Sequence, residues 1–215
     1  MGDFHQSGEV TTLHRFGNRD IAKLEAEIKK LSRLRPIALV LPTIFTELEG
    51  TALPKIINVL KDVKYLKQIV VTLGRFNKEQ FEYARKFFSV LPQDVTLMWN
   101  DGPRVKKLYK LLDEKNVSAG ADGKGRSAWM AYGYVLASEK SKVIVLHDCD
   151  VLTYSREFLA RLCYPVVNHN LDFEFCKGYY SRITDRMHGR VTRLFVTPLL
   201  RALRRLLGDL DFLKY

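Results

Sequence analysis

Val143-Ile144-Val145-Leu146-His147-Asp148-Cys149-Asp150 is the stretch of this chain that decides its fold. A run of aliphatic residues, typical of a buried strand, ends in Asp148 and Asp150 with one residue between them. Side chains at positions i and i+2 of an extended segment point the same way, so both carboxylates can face one target. Close carboxylates repel each other unless a cation lies between them, and Mg²⁺ or Mn²⁺ carrying a phosphate suits such oxygen atoms. The stretch predicts a ligand site at the carboxyl end of a strand, where open α/β sheets bind their ligands.

Three earlier apolar runs predict three more strands, at residues 37–41, 68–73 and 95–99. Before and between the strands, apolar residues at helical spacing predict helices. These helices cover residues 20–34, 54–63, 77–91, 103–112 and 127–138. Because strands and helices alternate, we expect an α/β fold with a mostly parallel sheet flanked by helices on both faces.

The pattern changes after Asp150. We expect a helix over residues 155–162, a strand over residues 172–180, where polar and apolar residues alternate, and a long helix from Gly189 to about Leu207. No further strand or helix follows that would close the fold. We therefore expect the sequence to be truncated on its C-terminal side.

Composition limits the class of protein. The chain has 215 residues, of which 47% are hydrophobic and 27% are charged, so it can bury one core and is not a disordered chain. No apolar run approaches about 18 residues, and no cationic head followed by an apolar stretch stands at the start, so we expect neither a membrane span nor a secretory signal. The three cysteines, Cys149, Cys163 and Cys176, are too scattered for a disulfide framework and indicate a cytoplasmic protein.

The formal net charge of +11 leaves three interpretations open. The excess can be an ordinary basic surface, it can serve anionic small molecules such as nucleotides and phosphorylated acids, or it can bind nucleic acid. The basic residues are spread along the chain and form no recognisable nucleic-acid module, so we expect no nucleic-acid partner.

The predicted topology brings several loops to the carboxyl edge of the sheet. They are residues 42–47, 73–76, 100–104 and 147–150, and the glycine-rich residues 119–126 reach the same region. The glycine-rich loop is either an ordinary flexible loop or a place where backbone amides and Lys124 hold a diphosphate. It does not have the G-x-x-x-x-G-K-[ST] pattern of a P-loop. Glu47 is either a solvated loop charge or an acceptor for a nucleobase or ribose.

Two other interpretations of the paired aspartates stay open. Asp148 and Asp150 can cap or shape a turn, because aspartate favours turns. A phosphatase-type arrangement, with a nucleophilic aspartate and an acid aspartate two residues later, also ends a strand. In this chain, however, Leu152 stands where that arrangement has a threonine.

A second anion site is predicted at the start of the last helix. Gly189, Arg190 and Thr192 bring free backbone amides, a guanidinium and a hydroxyl together, a set that suits one phosphate or carboxylate. Together with Arg182, these residues can equally belong to an exposed basic helix.

Eight short segments, spread in order along nearly the whole chain, match the motifs of one family. They are Asp3-Phe4-His5-Gln6, Thr11-Thr12-Leu13-His14, Leu39-Val40-Leu41-Pro42, Glu47-Leu48-Glu49-Gly50, Gly123-Lys124-Gly125, Asp148-Cys149-Asp150, Lys177-Gly178-Tyr179-Tyr180 and Gly189-Arg190-Val191-Thr192-Arg193-Leu194. With these motifs the chain resembles retaining glycosyltransferases of the GT-A fold, and most closely the glucosyl-3-phosphoglycerate synthases of glycosyltransferase family 81. The loop of residues 42–47 is one residue longer than the family's common form.

The resemblance implies a site for a sugar nucleotide. Pro42 and Glu47 would hold the nucleobase and the ribose, and Gly74 would let the nucleoside approach closely. Lys124 would contact the diphosphate, and Asp148 would lie near the ribose or the sugar.

The resemblance also implies a metal site and an acceptor site. Asp150 would bind the divalent cation, Mg²⁺ or Mn²⁺, whereas the family's further His ligand has no equivalent before Tyr215. The phosphate of 3-phosphoglycerate would be bound by Arg182, Gly189, Arg190 and Thr192.

The implied reaction moves glucose from UDP-glucose or GDP-glucose to the 2-hydroxyl of 3-phosphoglycerate, with retained anomeric configuration and no protein nucleophile. Residues 1–36 would form an N-terminal strap and helix, residues 37–150 the nucleotide-sugar-binding half, and residues 151–215 the incomplete start of the acceptor-binding half. A homodimer is left open. The alternatives are a GDP-mannose-dependent mannosyltransferase acting on a related acceptor, and a truncated nucleotide-binding remnant without activity or a partner subunit for a longer homologue.

Overall fold

The structure, a computed structural model, describes residue 13, residues 20–178, residues 192–208 and residue 210. Contacts group the chain into a larger unit of residues 19–177 and a smaller unit of residues 1–18 and 178–215. These units are defined by packing alone, so the three functional segments suggested by the sequence stay a prediction.

Among the described residues, the larger unit is built on one parallel sheet. Its strands are β1 (Ile37–Ile44), β2 (Leu66–Gly74), β3 (Asp94–Trp99) and β4 (Val143–Leu146). Their order across the sheet is β3-β2-β1-β4, and every neighbouring pair is parallel. The predicted α/β fold with a parallel sheet is confirmed, and the first strand lies between β2 and β4.

Helices separate and flank these strands in the described part of the larger unit. They are α1 (Ile21–Leu31), α2 (Phe45–Glu49), α3 (Ala52–Leu60), α4 (Lys78–Phe88), α5 (Pro103–Glu114), α6 (Lys124–Ser138) and α7 (Arg156–Val167). Local signals set several of their ends. The Asp20 carboxylate accepts hydrogen bonds from backbone N–H groups at the start of α1, and Asn77 and Gln80 form the predicted capping box of α4.

Strand β1 is longer than its apolar run predicts. The sequence predicts a loop from Pro42, yet Pro42 lies in β1 opposite Thr72, and pairing continues through Thr43 and Ile44. A proline has no N–H to donate, but its fixed φ angle lies within the extended region, so the strand loses one donor and does not end.

Two helices begin earlier than the sequence predicts. Helix α3 starts at Ala52 rather than Pro54, and α6 starts at Lys124 rather than Ser127. Gly123 precedes α6 with a φ of 155°, a backbone conformation that favours glycine and lets the chain enter the helix sooner. Lys124 therefore lies in the first turn of a helix and not in a flexible loop.

The strand predicted over residues 172–180 is wrong for its described part, since residues 172–178 form no strand. Asp172 has a φ of 55°, in the left-handed region, which interrupts an extended segment at its first residue. Tyr179 and Tyr180 lie outside the described residues.

Apolar side chains cover the sheet on both faces. On one face, Leu39 and Leu41 are fully buried in a cluster that includes residues of α1, α3, α4 and α7. On the other face, Ala38 and Val40 pack in a smaller cluster with Ala131 of α6. Burial on both faces explains why β1 reads as an unbroken apolar run rather than as an alternating one.

In the smaller unit, a π-helical segment (Thr192–Val196) leads into α8 (Thr197–Leu207). The helix predicted to end near Leu207 is confirmed over these residues, whereas Gly189 lies outside the described part of the chain. No helix within the described ranges is both long and apolar enough to cross a membrane.

Leu39→Ala should lower the free energy of unfolding by about 2–5 kcal/mol, because it removes a fully buried side chain from the middle of the sheet. Chemical denaturation followed by circular dichroism measures the loss. Leu136→Ala is the control, since Leu136 is 68% exposed and its truncation should change this free energy by less than about 0.5 kcal/mol. Equal losses in the two variants would contradict the central position of β1.

Candidate functional site

The carboxyl ends of the strands converge around Gly74, the last residue of β2. A Cβ atom built on Gly74 would lie 3.8 Å from Ser127 Oγ, 3.9 Å from Asn100 Nδ2 and 4.0 Å from the Thr43 carbonyl oxygen. These neighbours belong to α6, to the segment after β3 and to β1. Gly74 is buried, and the predicted meeting of loops at this edge is therefore observed for β1, β2, β3 and α6.

The two aspartates follow β4 in a turn whose side chains alternate between inside and outside. The strand ends at Leu146, and the His147 N–H donates to the Val40 carbonyl at 3.1 Å. His147 and Cys149 are 5% and 1% exposed, whereas Asp148 and Asp150 are exposed. The two carboxylates thus lie on the solvent side, as their i, i+2 spacing predicts, although they lie just beyond the strand.

Two buried neutral groups hold this turn. The Nδ1 atom of His147 lies 2.9 Å from the Tyr154 hydroxyl, and the Sγ atom of Cys149 lies 3.1 Å from Thr43 Oγ1 in β1. Burial lowers the pKa of His147 to about 4, against an opposing effect of Asp148, and raises the pKa of Cys149 to about 12. An uncharged imidazole and an uncharged thiol therefore point inward, and the carboxylates are left on the solvent side.

Lys124 forms an ion pair with Asp148. Lys124 Nζ donates to Asp148 Oδ1, and the two side chains are 55% and 48% exposed. An exposed pair of this kind adds little to the free energy of unfolding, so its importance is the position that it gives to the two charges. The structure thereby joins two residues that the sequence predicted only to share one region.

Glu47 lies in α2 and faces the same group of charges. Its carboxylate accepts a hydrogen bond from the Ile44 N–H at 2.9 Å. Partial burial raises the pKa of Glu47, and the charges of Asp150 and Asp148 raise it further, while the Ile44 hydrogen bond and Lys124 lower it. Three carboxylates, those of Glu47, Asp148 and Asp150, thus share this group with one lysine. This excess of negative charge favours a bound cation.

The donor chemistry of this group fits Mg²⁺ or Mn²⁺, because carboxylate oxygens are ligands that these cations prefer. Among the described residues, however, no three His, Cys, Asp or Glu side chains are arranged to hold one metal ion. Asp150 can thus supply one protein ligand, and water and phosphate oxygens can complete the shell, as is usual for Mg²⁺.

A second charged group beside the site was not predicted from the sequence. Asp122 accepts hydrogen bonds from Arg75 Nε at 3.2 Å and from Arg126 at 2.5 Å, and the Arg126 guanidinium lies 4.7 Å from the centre of the Tyr109 ring. The hydrogen bond from Arg75 is the largest cause that lowers the pKa of Asp122. This group ties the glycine-rich segment to the end of β2, through residues too distant in sequence for a local pattern to reveal.

Of the remaining predicted site residues, the structure describes Pro42 and Thr192. Pro42 is buried within β1 rather than placed in a loop. Arg182, Gly189 and Arg190 lie outside the described residues, and Thr192 begins the π-helical segment of the smaller unit. The acceptor site stays a prediction.

No family profile matches this chain. The glucosyl-3-phosphoglycerate synthase of Persephonella marina is 49% identical over 215 residues, which are 100% of this chain and 53% of that protein. That of Methanococcoides burtonii is 38% identical over 217 residues, covering 99% of this chain and 52% of that protein. This chain is a homologue of the glucosyl-3-phosphoglycerate synthases. It spans about half the length of the curated relatives that it matches.

Solved structures of a glucosyl-3-phosphoglycerate synthase from Mycobacterium tuberculosis share the fold of this homologue. One in complex with Mn²⁺, UDP-glucose and phosphoglyceric acid has a TM-score of 0.57 at 23% identity, covering 93% of this chain and 59% of that chain. Another, in complex with Mg²⁺ and UDP, has a TM-score of 0.54 at 22% identity, covering 94% and 59%. The predicted GT-A fold is confirmed, and the predicted cations Mn²⁺ and Mg²⁺ are those found with the M. tuberculosis enzyme.

His147→Gln should remove a pH dependence of the free energy of unfolding between pH 6.5 and about 4. In this window the unfolded chain takes up a proton on His147 and the folded chain does not, so acid lowers the free energy of unfolding, by roughly 3 kcal/mol in total. Above pH 6.5 neither state is protonated there and this contribution is fully present. Denaturation curves of both proteins from pH 7 to pH 4 measure the effect, and parallel pH profiles would contradict a buried neutral imidazole.

Proposed function

We propose that this chain transfers glucose from UDP-glucose to the 2-hydroxyl of 3-phosphoglycerate, with a divalent cation at the carboxyl edge of its sheet. The observation that carries the proposal is the grouping of Glu47, Lys124, Asp148 and Asp150 in a chain 49% identical to a glucosyl-3-phosphoglycerate synthase. UDP is favoured over GDP because crystal structures of the M. tuberculosis enzyme contain UDP or UDP-glucose.

Asp150 is the proposed protein ligand of the cation. It is exposed, and its charge acts on Glu47, so it lies within the group of carboxylates. A bound Mg²⁺ or Mn²⁺ supplies Lewis-acid stabilisation of the negative charge that develops on the leaving diphosphate. Asp150 would supply one ligand to this cation and so hold it at the carboxyl edge of the sheet.

Lys124 is the proposed contact to the diphosphate. An ammonium group has three N–H donors, so Lys124 can remain bonded to Asp148 and donate to a phosphate oxygen as well. Asp148 is then oriented as an acceptor for a ribose or sugar hydroxyl. We assign no protein nucleophile, and we propose that the anomeric configuration is retained, as in the family that the sequence resembles.

Pro42, Glu47 and Gly74 complete the proposed donor site. Glu47 Oε2 accepts a hydrogen bond from the Ile44 N–H, and this bond fixes the carboxylate. The other carboxylate oxygen is the proposed acceptor for a ribose or nucleobase donor. Gly74 is buried where β1, the segment after β3 and α6 meet, and its backbone is the proposed contact to the nucleoside. Pro42 fixes the backbone of β1 shortly before α2 begins.

Arg182, Gly189, Arg190 and Thr192 are the proposed contacts to the phosphate of 3-phosphoglycerate. A guanidinium, a hydroxyl and backbone amides match the three oxygen atoms of a phosphate monoester. The presence of phosphoglyceric acid in crystal structures of the M. tuberculosis enzyme supports this acceptor.

We propose in addition a cytoplasmic location and a homodimer. The cysteines of the described residues, Cys149, Cys163 and Cys176, are all free, which agrees with a reducing compartment.

Asp150→Ala should abolish stabilisation of the protein by UDP and Mn²⁺. Wild-type protein should melt at a higher temperature when both are present and gain little from UDP alone, because a ligand that binds only the folded state stabilises it. Differential scanning fluorimetry measures the shift. The control is Asp94→Ala, since Asp94 is also an exposed aspartate, but it is paired with Lys140 at 2.7 Å and lies at the start of β3, at the opposite end of the strands. A shift retained by Asp150→Ala would remove Asp150 from the cation site.

The transfer itself is tested with UDP-glucose, 3-phosphoglycerate and Mn²⁺, by following the release of UDP. Wild-type chain should release UDP only when the acceptor is present, and Asp150→Ala should release none. Metal-dependent binding of UDP without any release would overturn the transferase and leave a nucleotide-binding protein.

Arg190→Ala should weaken binding of 3-phosphoglycerate and leave binding of UDP with Mn²⁺ unchanged. Loss of a charge-assisted hydrogen bond to phosphate removes about 1.5–3 kcal/mol, or roughly tenfold to a hundredfold in affinity. Isothermal titration calorimetry with each ligand separately measures the two affinities. Equal weakening of both ligands would refute the assignment of Arg190 to the acceptor.

A further inference from the structure

A buried hydrogen bond joins the segment after β3 to helix α6. Asn100 Nδ2 donates to Ser127 Oγ at 2.7 Å, and the two residues are only 2% and 7% exposed. Because water is excluded, this bond is strong and directional, and removal of either partner leaves the other unsatisfied. The bond therefore fixes the distance between the edge of the sheet and the start of α6.

Asn100 is itself held firmly on the sheet. Its backbone N–H donates to the Leu73 carbonyl at 3.0 Å, next to the end of β2. The neighbouring Asp101 carboxylate accepts a hydrogen bond from the Phe76 N–H at 3.2 Å. Two hydrogen bonds thus fix the backbone around Asn100 to the end of β2, and from there its side chain reaches α6.

Ser127 lies close to Lys124 at the start of α6, so a fixed Ser127 also restricts the position of Lys124. Helix α6 begins after Gly123 without a side-chain cap, and the Ser127 N–H donates to the Gly123 carbonyl at 3.1 Å to close the first turn. Residues three apart in a helix lie on the same side of it, and Lys124 is three residues before Ser127. The position of Ser127 therefore sets where the Lys124 side chain leaves the helix.

We infer that Asn100 is a positioning residue for the diphosphate of the donor: through Ser127 it holds the first turn of α6 so that Lys124 reaches Asp148 and the phosphate oxygens. The inference rests on the proposed function, in which Lys124 contacts the diphosphate. Asn100 acts through another side chain and is not itself a catalytic residue.

A matched hydrogen bond lies at the opposite edge of the sheet. Gln68 Nε2 donates to Ser141 Oγ at 3.1 Å, and these residues are 0% and 9% exposed. Ser141→Ala removes a buried amide-to-hydroxyl bond of the same chemistry as the one removed by Ser127→Ala. Ser141→Ala should also lower the melting temperature, although Gln68 Nε2 keeps a second acceptor in Ser138 Oγ at 3.4 Å. Ser141 lies before β4 and away from Lys124.

The test is calorimetric titration of UDP into the 215-residue chain in the presence of Mn²⁺. Ser127→Ala should weaken the affinity about tenfold, as loss of a residue that orients a ligand-binding group commonly does, whereas Ser141→Ala should leave it unchanged. Lys124→Ala combined with Ser127→Ala should bind no more weakly than Lys124→Ala alone, because the two residues act on one contact.

The outcomes separate this inference from the proposed function. If wild-type chain does not bind UDP with Mn²⁺, the proposed function fails. If wild-type chain binds but Ser127→Ala and Ser141→Ala have equal effects, or the double variant multiplies the two losses, only the role of Asn100 is overturned. Should Ser127→Ala not fold, Asn100→Ala replaces it, with Gln68→Ala as its control and the same expected result.

Discussion

The parallel pairing of β4 with β1 is the interaction on which the rest of the candidate site depends. Leu39 and Val40 lie opposite Val145 and Leu146, and the next backbone bond, from the His147 N–H to Val40, continues the ladder by one residue. This register decides which residues of the following turn face inward. A shift of one residue would bury the carboxylates and expose the imidazole and the thiol, at a large cost in desolvation.

The fold was predictable wherever a local pattern decides the structure. Runs rich in apolar and β-branched residues identify all strands of the described sheet, and Asn77 with Gln80 marks the start of α4. The errors arise where one residue overrides its neighbours. Pro42 suggests a loop but lies within β1, and Gly123 lets α6 begin early. Asp172 has a left-handed backbone, so the alternating residues that follow it form no strand.

The site was predictable as a region but not as a set of contacts. Topology alone places Lys124, Asp148 and Asp150 at one edge of the sheet, because the carboxyl ends of parallel strands meet there. The bond between Lys124 and Asp148, and that between Arg75 and Asp122, join residues 24 and 47 positions apart. Such contacts depend on how separate elements pack, which no local pattern encodes.

The inward position of Cys149 has a consequence for metal selectivity. Soft thiolate ligands favour zinc, and a Cys between two Asp residues would offer that metal a mixed site if its sulfur faced outward. Here the sulfur contacts Thr43 and is 1% exposed, so the outer side of the turn presents hard oxygen atoms alone. The same burial that supports the turn thus discriminates against thiophilic ions and shields the sulfur from oxidants.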